Sequence, residues 1–331
     1  MLFITNRRLL EGTRSRVGRS VRFDLADNQP GPSLFFCRRI GPEAYEELTA
    51  PVFLGRLRRS GRQQVLVYVH GFNCLPEPKV FPDAQRLQDL CDLLAPGMVE
   101  VVPLVWPCDD DLGLLVDYWD DQDAAEFSGL GFARGIGKFL DWRDRAAPEE
   151  QCLKHMNLLA HSMGNLVLHT ALAKWGRDHG GLHGTFRNIF MMAADLPNDC
   201  LEPGRGGEEL AAAARSVVVY HANDDFALRS SKIVNLRNKI VSRRLGHTGP
   251  RDPARVPRNV VVIDCDSVNS EYDRLGHSYF LADRQGAPGV VLQHLVASMR
   301  AGHPPAALAS PAGALAAAAG NDDRPPLARP A

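Results

Sequence analysis

The stretch Met156–Leu166 reads MNLLAHSMGNL. It sets Ser162 between an apolar run ending at Ala160 and a helical pattern that begins directly after the serine. A strand that delivers a hydroxyl into a sharp turn at the start of a helix is the local arrangement of a nucleophilic serine, usually written G-x-S-x-G. Here the five residues are Ala160-His161-Ser162-Met163-Gly164. The residues two before and two after the serine pack against each other in such a turn, so both must be small, and alanine meets that demand. The backbone N–H of Met163 would then point at the oxygen of a reacting carbonyl, where helix donors are free. An ordinary N-cap serine is the competing reading, and the rest of the chain has to decide between them.

Acyl transfer through a serine needs a base, an acid that orients the base, and donors for the oxyanion. On an open strand–helix sheet the chain order is serine, acid, histidine. The apolar run Val217–Tyr220 is followed by His221-Ala222-Asn223-Asp224-Asp225. Two acids therefore sit after a strand's C-terminal end, where open α/β sheets collect their sites. Counting three positions from the small Ala222 gives Asp225, with Asp224 as the alternative; both would also suit a simple turn. Asp195, after Ile189–Ala193, is a further candidate for the acid or for a substrate contact. Among the later histidines, His303 lies in the tail, His294 inside the last helical pattern, and His247 in the Gly/Arg/Pro-rich loop RRLGHTGPRDPARVPR, expected to be exposed. His277 falls between the last strand and the last helix, and is the expected base. The second oxyanion donor is expected at the Phe72 N–H, in His70-Gly71-Phe72-Asn73, where glycine permits close backbone approach and Asn73 can pin the loop.

The elements that must position these groups alternate along the chain. Val65–Val69 is a near-continuous β-branched run, as expected of a strand buried on both faces. Asp83–Leu94 has helical spacing, and Val99–Trp106 is the next strand. Met156–Ala160 with Asn165–Trp175, then Ile189–Ala193, Val217–Tyr220, Val260–Ile263 and the helix Ala287–Met299 continue the alternation. This predicts a mostly parallel, doubly wound sheet. Leu2–Ile4, Leu34–Cys37 and Val52–Leu57 read as antiparallel strands at one edge, within an N-terminal portion covering residues 1–64. Residues 108–142 are acidic at first and helical later; they form either a cap over the site or a connecting helix. From residue 301 to 331 the Ala/Pro/Gly-rich composition predicts a disordered tail after a single domain of residues 1–300.

With 331 residues, 45% hydrophobic and 23% charged, the chain has the composition of a soluble globular protein. Its net charge of −1 gives no long-range attraction to nucleic acid or acidic membranes. Arg7, Arg8, Arg14, Arg16, Arg19 and Arg22 are interspersed without aromatic partners and read as solvated surface. The start, MLFITNRRLL, reverses the charge order of a secretory signal, and no apolar run reaches membrane-spanning length. Seven cysteines without C-x-x-C or Cys/His spacing point to free thiols in the cytoplasm, with no zinc, other metal or organic cofactor expected. Cys74 and Cys108 are expected to be bystanders.

The motifs together resemble the α/β-hydrolase superfamily, and within it a bacterial branch of largely unassigned function. They are Thr5-Asn6-Arg7, Val69 to Asn73, Trp106-Pro107, Ala160 to Asn165, Asp225-Phe226-Ala227-Leu228 and Gly276 to Phe280. The resemblance covers most of residues 1–300. It implies an α/β-hydrolase fold, accepts alanine at the first elbow position, and favours Asp225 over Asp224. The expectation is a serine hydrolase acting on a small-molecule or lipid-like ester, of carboxylesterase or lipase type. Amide, peptide or thioester hydrolysis by the same groups, or a hydrolase-fold binding protein without turnover, are the alternatives. The resemblance supplies no substrate.

Overall fold

The computed structural model describes residues 1–108, 114–145, 154–225, 243–269, 276–310 and 313–317. They belong to two compact units, Met1–Gly181 and Leu182–Ala331.

The sheet of the first unit is built on β5 (Gln64–Val69), buried at every position. It pairs in parallel with β6 (Val99–Val105) on one side and with β7 (His155–His161) on the other. Strands buried on both faces need continuous apolar sequence, and VLVYV supplies it. Beyond β6 lies β1 (Leu2–Thr5), also parallel, followed by the antiparallel β3 (Phe35–Gly41), β4 (Ala44–Glu47) and β2 (Arg19–Val21). The antiparallel N-terminal edge is thus present, with one correction. Val52–Leu57 is not a strand but part of α1 (Ala50–Arg59). Phe53, Leu54 and Leu57 are its buried residues, a helical spacing, and its N-terminal proline suits a first turn.

Helix α2 (Phe81–Leu94) covers Asp83–Leu94 as expected, and α4 (Gly164–His179) follows β7 directly. It stops at Gly180, whose φ of 78° is the left-handed C-terminal cap. Between β6 and β7 runs α3 (Leu114–Arg145), one 32-residue helix. It lies close against α4: a Cβ on Gly129 would come 2.6 Å from the Thr170 Cβ and 2.8 Å from the Val167 carbonyl oxygen. Of the stretch 108–142 expected to be a cap or a connecting helix, residues 114–142 lie in this helix, and residues 109–113 lie outside the described residues.

In the second unit β8 (Phe186–Met192), β9 (Ala214–His221) and β10 (Val260–Asp264) pair in parallel. Helix α5 (Gly207–Ala213) leads into β9, and α6 (Val290–Ala301) closes the series. The stretch expected to be disordered from residue 301 holds two short strands, β11 (Ala307–Ser310) and β12 (Gly313–Ala317). They pair with each other, and β12 adds antiparallel to β10. Alanine side chains bury little, but unpaired backbone groups at a sheet edge accept any chain that can extend. Among the described residues no helix is long and apolar enough to cross a membrane.

Candidate active site

At the end of β7 the backbone of Ser162 has φ 52°, in the left-handed region. An N-cap residue has extended backbone, so Ser162 is not an ordinary cap. The N-terminal flank of α4 is Met163, with no side-chain cap. A non-glycine residue held in that region is strained, and such strain concentrates where function requires an exposed group. Three small residues make the turn possible. Ala160 is fully buried. A Cβ on Gly164 would sit 2.6 Å from the Val69 carbonyl oxygen and closer still to that of His70. A Cβ on Gly71 would sit 3.0 Å from the Cβ of Ser162. The loop after β5 therefore runs directly against the serine, with Phe72 next in the chain. The Asn165 amide ties the turn together, donating to the carbonyls of Ala160 and Ser162, each at 3.0 Å.

The loop His70–Cys74 is held by a dense set of contacts. His70 is fully buried and stacked on Trp106, ring centroids 5.1 Å apart and planes within 4°. The Trp106 indole N–H donates to the His70 carbonyl at 2.9 Å, and the Trp106 backbone N–H lies 3.2 Å from His70 Nε2. Nδ1 lies 2.8 Å from the Gly71 carbonyl. Nε2 as acceptor and Nδ1–H as donor satisfy both contacts with a neutral ring, and burial pushes the His70 pKa down to about 3. The Asn73 N–H donates to Asp121 of α3 at 3.2 Å, so the backbone of Asn73 anchors this loop. The ring of Phe72 meets that of Tyr118, also on α3, edge-on at 5.8 Å.

The Cys108 Sγ accepts from the Cys74 N–H at 3.3 Å and donates to the Cys74 carbonyl at 3.1 Å. Burial pushes the Cys74 thiol up to about 12. Arg7 departs from the expectation of a solvated surface group: it is fully buried, and its guanidinium donates to the Cys108 carbonyl. Thr5 donates to the Val105 carbonyl at 2.7 Å and accepts from the Arg7 N–H at 3.0 Å. The Thr5-Asn6-Arg7 block thus braces the chain just beyond β6.

In the second unit Asp225 follows β9, is fully buried, and places Oδ2 2.7 Å from Nδ1 of the half-buried His277. A carboxylate on Nδ1 fixes the imidazole tautomer that leaves Nε2 to accept a proton. Asp224 is engaged elsewhere, accepting from the Asn269 amide, which also donates to the Gly276 carbonyl at 3.2 Å. Of the two acids, Asp225 is the one paired with His277. Asp195 forms a buried ion pair with Arg244 at 2.9 Å. The segment containing His247 departs from the expected exposed loop. Arg244, Leu245 and Gly246 are buried, and His247 itself is half-exposed. Gly246 exchanges backbone bonds with Ala194 and Ala222, and a Cβ there would run into the backbone of Ala193 and Ala194. His294 is buried between the Tyr220 hydroxyl at 2.7 Å and the Pro305 carbonyl at 2.9 Å, and His303 is exposed.

The profile of a family described as "Alpha/beta hydrolase of unknown function (DUF900)" matches residues 46–298. The chain belongs to this α/β-hydrolase family. No curated protein matches it. Among solved structures, phospholipase PlaB from Legionella pneumophila is similar at 13% identity over 41% of this chain and 25% of that chain, with a TM-score of 0.24. The same phospholipase in complex with thio-NAD is similar at 14% identity over 49% and 38%, with a TM-score of 0.27. The chain therefore spans well under half the length of either structure.

In this α/β-hydrolase, Asn269, Asp121 and Arg244 escaped the sequence reading because a polar residue in a loop or amphipathic helix carries no spacing signal. Phe226–Leu228, part of the block that favoured Asp225, lie outside the described residues. Among the described residues no group of three or more His, Cys, Asp or Glu side chains could hold a metal ion.

Proposed function

We propose that the protein is a serine hydrolase of carboxylesterase or lipase type. Ser162 is its nucleophile, His277 its general base and acid, and Asp225 its orienting acid. The hydrogen bond between buried Asp225 and His277 carries this reading, because it prepares a ring nitrogen to take a proton. The strained backbone of Ser162 supports the other half. In the reaction the Ser162 Oγ attacks the ester carbonyl carbon while its proton passes to His277 Nε2. The Phe72 and Met163 N–H groups stabilise the oxyanion. Collapse breaks the C–O bond, and the alcohol leaves with the proton from His277. Water, deprotonated by His277, then attacks the acyl carbon; collapse breaks the C–Oγ bond, the proton passes from His277 to Ser162 Oγ, and the acid is released.

Incubation with a fluorophosphonate, followed by peptide mapping, should place the adduct on Ser162, and Ser162→Ala should abolish turnover of p-nitrophenyl butyrate while the fold persists. Turnover at the wild-type rate in that variant would reject the mechanism. Absence of labelling in the folded protein would favour a binding protein without turnover. Ester, thioester and anilide substrates compared on one preparation separate the three acyl classes.

A further inference from the structure

The first unit contains a cavity of about 940 Å³ that shares no residue with the elbow or the His70–Asn73 loop. It lies where β3, α1 and the C-terminal half of α3 meet. That volume is in the range of small-molecule sites, about 300–1,000 Å³. Its wall is largely apolar, with Leu34, Phe36, Leu54 and Trp142 among its residues. Its charged residues are four cations, Arg58, Arg59, Arg134 and Lys138, against one acid, Asp141. Arg59, Arg134 and Lys138 are exposed. Arg134 reaches over to donate to the Pro32 carbonyl at 2.9 Å, and Lys138 Nζ lies 6.0 Å from the centre of the Phe36 ring. These two cations thus lean across the groove toward the segment 32–36.

A deep apolar wall with a net cationic rim selects a ligand that is apolar at one end and anionic at the other. Neutral lipids bring no counter-charge to the exposed Arg134 and Lys138, and small anions leave the apolar wall wet. On α3, Asp121 contacts the Asn73 N–H while Arg134 lines the cavity. Thirteen residues of helix separate them, about 20 Å, so the cavity is a separate site from the elbow. Much of its lining, Thr13 to Phe36, precedes the family match at residue 46.

We infer that this cavity binds a free anionic amphiphile, a carboxylate or phosphate head on a single aliphatic chain. The inference stands apart from the hydrolase reading and survives if that reading fails.

The test is calorimetric titration of the full chain with dodecanoate below its micellar concentration, beside dodecanol, inorganic phosphate and phosphatidylglycerol vesicles. Dodecanoate should bind wild type and Ser162→Ala with equal affinity, more weakly at 0.5 M salt, while dodecanol and phosphate alone bind at least about tenfold more weakly. The double variant Arg134→Glu/Lys138→Glu changes two exposed positions. It should lose about tenfold or more in dodecanoate affinity while keeping its melting temperature and its rate on p-nitrophenyl butyrate. Trp142→Ala, which shortens the apolar wall, is the second variant and should weaken dodecanoate without changing the salt dependence. No dodecanoate binding, binding unaffected by the charge reversal, or binding to vesicles alone would each overturn the inference.

Discussion

Replacing Asp225 by asparagine preserves volume at a fully buried position and changes only what faces His277 Nδ1 across 2.7 Å. If the amide nitrogen faces the ring, Nδ1 must become the acceptor. The proton then sits on Nε2, where it blocks uptake of the Ser162 proton. If the amide oxygen faces the ring, the tautomer survives but the imidazolium formed during attack loses its buried counter-charge. Loss of an orienting carboxylate in this role costs about 10³–10⁴-fold in kcat, or about 4–5.5 kcal/mol of barrier. Because the interaction strengthens as charge develops on the ring, kcat and kcat/KM should fall together. Asp224→Asn is the matched control: that carboxylate holds Asn269, which in turn holds the Gly276 carbonyl. Its loss acts on His277 only through the loop, and about tenfold or less is expected. The assay is steady-state hydrolysis of p-nitrophenyl butyrate by both variants, with thermal melting to confirm folding. An Asp225→Asn enzyme within tenfold of wild type, with Asp224→Asn carrying the large loss, would refute the assignment.

Three further outcomes follow from the first unit. Gly164→Ala drives a methyl to 2.6 Å from the Val69 carbonyl oxygen and 3.0 Å from its carbon, both strand backbone. A cost of about 3 kcal/mol should lower the melting temperature by roughly 6–12 °C and reduce esterase activity at least about tenfold; a melting temperature within about 2 °C of wild type would contradict the close approach. His70 is neutral when folded, with its pKa lowered from 6.5 to about 3. The unfolded chain therefore binds the extra proton below pH 6.5, and the stability this group contributes above that pH is lost as pH falls toward 3, by up to about 1.4 kcal/mol per unit. His70→Gln should be less stable at pH 7 but show a shallower acid limb in urea midpoints measured from pH 7 to 4; parallel limbs would exclude the buried neutral ring. Cys74, with its thiol pushed up to about 12, should resist iodoacetamide at pH 8 until the protein is denatured, as peptide mapping reads directly. Rapid native alkylation with loss of activity would contradict both the burial of Cys74 and its expected bystander role.

The local elements that carry the candidate site were legible because they rest on short-range rules. Strand β5 is VLVYV, and only a doubly buried strand uses such a run. The elbow is a strand, a serine and small residues on both sides, because no larger residue clears the backbone. What misled was sequence whose meaning depends on distant neighbours. Val52–Leu57 is a short apolar run of strand length but forms part of helix α1, which buries Phe53, Leu54 and Leu57. Arg7 looks like one more surface arginine until the Cys108 carbonyl, 101 residues away, is found bonded to it. The segment around His247 is rich in Gly, Arg and Pro, yet Arg244 is buried on Asp195 and Gly246 lies against Ala193 and Ala194.

By itself the sequence determined the alternation of strands and helices and the strand ends at which the candidate residues Ser162 and Asp225 stand, since strand and helix periodicity are local properties. It did not show which of Asp224 and Asp225 pairs with His277, and gave no sign of the cationic cavity formed by β3, α1 and α3. Those were decided by the tertiary structure. A hydrogen bond across 52 residues and a pocket lined from positions 13 to 142 exist only after chain folding brings distant side chains to contact distance.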